Sequence, residues 1–156
     1  MKHCLNNAKY HDDLRHMSKE ELLRTFKNEV ILKPHEKLLL DELAKYYAGI
    51  LGLKVRLRFE RSKGNRNRVR VLEDRLKSKE EQFKPYFDLM ESLIDLEKRV
   101  REFRNKFDDL VYEGFGTTQL VTKEFLIKAI TEVRYQRNVV LRKMADVILN
   151  SLSKLD

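Results

Sequence analysis

The stretch LKVRLRFERSKGNRNRVRV, residues 53 to 71, decides both the fold class and the functional reading of this chain. Leu53, Val55, Leu57 and Phe59 alternate with Lys54, Arg56, Arg58 and Glu60, the two-residue repeat of a half-buried strand. Gly64-Asn65 can turn, and Arg68-Val69-Arg70-Val71 alternates again. The first expectation is therefore a β-hairpin, with the apolar residues on one face and the arginines on the other or in the loop. A second reading competes with it. Leu53 and Leu57 also extend the three-four spacing of the segment before them, which makes residues 62 to 66 the tip of a helical hairpin. Val55 and Phe59 would then lie on the side opposite Leu53 and Leu57, so this reading ranks second. Both readings project the same basic tip.

Charge gives the stretch its functional interest. Lys54, Arg56, Arg58, Arg61, Lys63, Arg66, Arg68 and Arg70 face one acid, Glu60, for a local net charge of +7 out of +8 for the whole chain. Like charges packed so closely repel one another, and a surface that keeps them usually meets a negatively charged partner. Six of the eight are arginines, whose planar fork binds phosphate oxygens in pairs and stacks on bases. These eight residues are the expected nucleic-acid contacts, ahead of an acidic protein surface. A membrane surface ranks low, because few large apolar residues accompany the charge for insertion.

Outward from this stretch, the composition describes its setting. With 156 residues, 42% of them apolar and 37% charged, and with only five Gly and two Pro, the chain calls for one core of long helices joined by short connections. The single cysteine, Cys4, forms no internal disulfide, and there is no signal-peptide core or run long enough to span a bilayer. A cytoplasmic protein is expected, or a nuclear one in a eukaryote.

Residues 1 to 17 are polar and unpatterned, an N-terminal segment expected to be poorly ordered, and 18 to 156 read as a single helical domain. Ser18-Lys-Glu-Glu21 is a capping box that opens a first helix to about Val30, with Leu22, Leu23 and Phe26 inward. Pro34 suits the first turn of a second helix, on which Leu39, Leu43, Tyr46 and Ile50 recur at three and four and which stops near Gly52. Ser78-Lys-Glu-Glu81 is a second capping box, and Pro85 either kinks the turns after it or marks the true start. Leu89, Leu93, Leu96, Val100, Phe103, Phe107 and Leu110 then form a coiled-coil-like seam. Gly114-Phe-Gly-Thr-Thr118 ends that helix, and a last helix from about Thr122 to Ser151 buries Leu126, Ile130, Val133, Val140, Met144 and Val147. The expected fold is a mainly α, long-helix bundle with this seam and a short basic β-hairpin projection. The seam is apolar enough to serve the chain's own core or a second copy, the latter as a weak homodimer.

Catalytic patterns are sparse. His3, His11 and His16 share the N-terminal segment with Cys4, Asp12 and Asp13, but the spacing matches no zinc signature, so no metal or cofactor is expected. No Gly-x-Ser-x-Gly elbow is present, and Gly64 and Gly114-Phe-Gly116 form neither a dinucleotide nor a Walker-type loop. Pairs such as Glu91 with Asp95, or Asp108 with Asp109, read as solvated helix faces. One polar set interrupts the apolar face of the last helix: Arg134, Arg137 and Asn138. Arg137-Asn-Val-Val-Leu-Arg142 resembles, over six residues, the Arg-Asn…His helix motif of HEPN ribonucleases. Arg142 stands where that motif has its histidine, so the resemblance implies at most a degenerate ribonuclease. The plainer expectation is that Arg137 pairs with an acid of a neighbouring helix, such as Glu97 or Asp108.

A winged helix with 53 to 71 as its wing would need a recognition helix just before it. PHEKLLLDELAKYYAGI, residues 34 to 50, carries only Lys37 and Lys45 against Glu36, Asp41 and Glu42. The expectation is a non-enzymatic protein that binds RNA or DNA through the phosphate backbone, as an accessory subunit of a larger complex. A helical adaptor for an acidic protein partner is the alternative.

Overall fold

The computed structural model describes residues 13 to 154. Four long helices carry the fold: α1 (Lys19–Glu29), α2 (Pro34–Lys63), α3 (Arg66–Glu113) and α4 (Lys123–Ser153). The starts follow local chemistry. Ser18 accepts a hydrogen bond from the Glu21 N–H, Pro34 occupies the first turn of α2, and Thr122 accepts from the Phe125 N–H. Among the described residues there is no strand.

The β-hairpin is thus corrected to the second reading, a helical hairpin: α2 continues through Gly49 and Gly52 to Lys63, and α3 begins at Arg66. The reason lies in what the two segments bury. Leu53 and Leu57 pack with Leu72, and Val69 and Leu76 lean against them, so the inner positions of both segments follow the helical spacing of three and four. A two-stranded ribbon standing alone is marginal in water, whereas a helix extended from a packed body satisfies its own backbone. The Lys, Arg, Leu and Glu residues of this stretch are good helix formers. The cost falls where the second reading puts it, with Val55 65% and Phe59 57% exposed on the outer side.

The second capping box does not start a helix. Ser78 to Glu81 lie within α3, because Val69, Leu72 and Leu76 already hold the preceding turns against α2. Pro85 neither starts nor ends α3, which runs through it for 48 residues, about 70 Å at ~1.5 Å per residue.

Helix α3 is the spine. Its first half pairs with α2, its second half with α4, and α1 packs on α4. The seam closes within the chain: Leu89, Leu93, Leu96 and Val100 are buried with Leu126, Ala129, Ile130, Val133 and Val140 of α4. Phe26 of α1 stacks on Phe107 at 4.8 Å between ring centroids and meets Phe125 at 6.1 Å. The core also takes in Leu14, which is fully buried, and Met17 packs against it. The last turn of α4 reaches the level of Tyr46 and Gln82, where Asn150, Ser151 and Lys154 border a groove with them. From there to Gly64 the two-helix hairpin carries its own small core, an arm of about 27 Å at ~1.5 Å per residue.

Candidate nucleic-acid interface

Gly64 makes the tip of the arm. With φ at 73° it sits in the left-handed region that ends helices at low cost for glycine, and its N–H donates to the Arg61 carbonyl at 3.2 Å. Asn65 caps α3, its side-chain oxygen accepting from the Arg68 N–H at 3.4 Å. The turn is so short that the basic ends of two helices meet there.

All eight basic residues of the stretch are exposed. Two are partly neutralised across the hairpin, Arg61 by Glu73 at 3.0 Å and Lys54 by Glu80 at 3.5 Å. Lys63 places its Nζ over the Phe59 ring, 4.3 Å from the centroid. Arg56, Arg58, Arg66, Arg68 and Arg70 have no ion pair among the described residues.

The charges differ in how they suit their helices. Arg61 and Lys63 occupy the last turn of α2, the negative end of its dipole, and stabilise it. Arg66, Arg68 and Arg70 occupy the start of α3, the positive end, and its first turn holds no acid. A helix normally carries Asp or Glu there, and both Ser18-led α1 and Thr122-led α4 do, with Glu20, Glu21 and Glu124. Positive charge on a positive helix end raises the energy of the free arm, and an anion at the tip relieves it. Sequence reasoning located the charge but, by reading a strand, missed this electrostatic misfit.

The polar set on α4 lies elsewhere, at the corner between α1 and α2. Arg137 pairs with Glu36, not with Glu97 or Asp108: Nε donates to Oε2 at 2.7 Å and Nη2 to Oε1 at 2.9 Å. The same guanidinium donates to the Glu29 carbonyl at 3.0 Å and the Ile31 carbonyl at 2.7 Å. Arg104 takes the Val30 carbonyl at 2.9 Å, and Arg134 forks onto the Glu29 carboxylate at 2.6 and 2.8 Å. Arg137 and Arg104 thus satisfy the free carbonyls where α1 ends, and Arg134 holds the Glu29 side chain beside them. Burial by itself pushes the Glu36 carboxyl up. The Arg137 hydrogen bond, the Lys33 N–H and the charges of Arg137 and His35 outweigh it, so the carboxyl sits below the usual carboxylate range. Asn138 is half-buried and borders a shallow groove with Arg134 and Arg137, while Arg142 is exposed.

Of the N-terminal metal candidates, His3, Cys4, His11 and Asp12 lie outside the described residues. Among the described residues no group of three or more His, Cys, Asp or Glu is disposed to hold a metal ion. Nor, among them, is any helix long and apolar enough to cross a membrane. No family model, curated protein or solved structure matches the chain.

Proposed function

We propose that this protein binds nucleic acid through its basic helical arm, contacting the phosphate backbone without base readout, and that it serves as a non-enzymatic accessory subunit of a larger complex. The observation that carries the reading is the start of α3, where three arginines crowd the positive end of a long helix with no acid to offset them. Phosphate is the anion that such a cluster suits, because each guanidinium can hold two of its oxygens. Arg56 and Arg58 on α2 extend the unpaired charge along the arm.

The test is electrostatic. If about five to seven basic residues neutralise phosphates, the logarithm of affinity falls with the logarithm of salt by about 0.9 per contact on duplex DNA, or about 0.7 on single strands. Replacing Arg56, Arg58, Arg68 and Arg70 singly with alanine should weaken binding to all sequences alike and lower the slope by roughly one unit each. Lys37→Ala and Lys45→Ala, on the body, should change little. A quadruple arginine variant that stays folded by circular dichroism yet binds every nucleic acid as the parent does would sink the proposal. The charge would then belong to an acidic protein partner, the adaptor reading, which now rests on the arm because the seam is occupied within the chain. The degenerate-ribonuclease reading has less support, since Arg137 is engaged on all three nitrogens.

A further inference from the structure

The arm carries aromatic surface as well as charge. Phe59 is 57% exposed on the outer side of α2, on the same arm as the unpaired Arg56 and Arg58, and Lys63 lies over its ring. At the root of the arm, Tyr47, Phe83 and Phe87 line an open groove of about 670 Å³ between α2 and α3, rimmed by Lys54, Lys77 and Lys84. The Tyr47 ring lies 5.7 Å from Phe83 and 5.9 Å from Phe87.

We infer that the arm takes single-stranded nucleic acid, stacking a base on the exposed Phe59 ring and seating another in the Tyr47–Phe87 groove. The inference rests on the nucleic-acid reading above and narrows it to one class of strand. In a duplex the base faces are already stacked and out of reach of a surface ring, so duplex binding has no use for Phe59. A single strand offers π-faces to any aromatic beside a basic track, and cation–π contact from a neighbouring cation adds to the attraction. Tyr47 and Phe59 stand about 18 Å apart along α2 at ~1.5 Å per residue, the scale of a short oligonucleotide. Glu80, Glu81 and Asp88 also border the groove. These carboxylates repel phosphate and accept hydrogen bonds from the N–H groups that bases carry, the N3–H of thymine and uracil among them, so the groove suits a base while the backbone follows the arginines.

Fluorescence anisotropy with labelled oligo-dT, oligo-U and a mixed-sequence duplex, at one low salt concentration, provides the test. The parent should bind the single strands more tightly than the duplex. Phe59→Ala should weaken single-strand binding about ten-fold and leave duplex binding unchanged, and Phe59→Tyr should restore it. Val55→Ala, an equally exposed apolar change on the same helix, should alter neither. The inference is overturned if Phe59→Ala binds single strands as the parent does. It is equally overturned if Val55→Ala loses as much as Phe59→Ala, since the outer side of α2 would then be an apolar contact and not a stacking surface. If the parent binds duplex and single strands while Phe59→Ala changes neither, this inference fails alone. If no strand of any kind is bound, the nucleic-acid reading fails with it.

Discussion

Arg137 and Glu36 show how much a single buried pair contributes to this fold. Glu36 is 3% exposed, and both of its oxygens are engaged by one guanidinium and a backbone N–H. Removing Arg137 leaves a carboxylate buried without its counter-charge and uncovers two carbonyls at the end of α1. Arg137→Ala should therefore cost about 3 kcal/mol or more in chemical denaturation. Arg134→Ala, which breaks a more exposed pair, should cost roughly 1 kcal/mol. The depressed Glu36 carboxyl also sets a direction with pH. Its contribution is present above the unfolded carboxylate value of about 4.3 and is lost as pH falls through the lower folded value. Thermal melts of the parent and Glu36→Gln should differ most at neutral pH and begin to converge only as pH falls below the unfolded carboxylate value of about 4.3. A constant gap across that range would show that Glu36 acts through shape and not through charge.

At the scale of elements, the arm contrasts two kinds of glycine. An added Cβ at Gly49 or Gly52 meets nothing within 4 Å, and both glycines lie in the interior of α2. Gly49→Ala and Gly52→Ala should each stabilise the protein by about 0.5 to 1 kcal/mol, by raising helix propensity and restricting the unfolded chain. Gly64 also has open space around it, but its φ of +73° is one that L side chains rarely adopt. Gly64→Ala should destabilise by about 1 kcal/mol, read as an earlier urea midpoint. If all three shifts have the same sign, backbone conformation is not what governs the arm. Capping residues show the same dependence on setting. Ser18 and Ser78 begin the same four residues, Ser-Lys-Glu-Glu, yet only Ser18 caps, because the turns before Ser78 continue as helix held against α2 by Val69, Leu72 and Leu76.

Across the whole molecule, α3 joins a packed body to a charged arm. The buried half of the seam is covered by α4 within one chain, so the face that would have recruited a second copy is already filled. The stretches at residues 53 to 71, each of net charge +7, repel one another besides. Light scattering over a concentration series should give a monomer, and a tight dimer in dilute buffer would place an interface on some other face. The amino-acid sequence by itself determined the helical class, the starts of α1, α2 and α4, the inward residues of the seam, the position of the tip and the confinement of positive charge to it. Each of these is written within a few neighbouring residues, as a cap, a period or a count of charges. Tertiary structure decided the rest. Residues 53 to 59 satisfy a strand period and a helix period at once, and only the presence of Val69, Leu72 and Leu76 on the opposing segment selects Leu53 and Leu57 for burial and leaves Val55 and Phe59 outside. The partner of Arg137 was likewise beyond local reading, because Glu36 lies 101 residues away and the two meet only when α1 and α2 turn their corner against α4. Short-range signals fix which segments become helices, but which face of a helix is inside depends on the surface it meets.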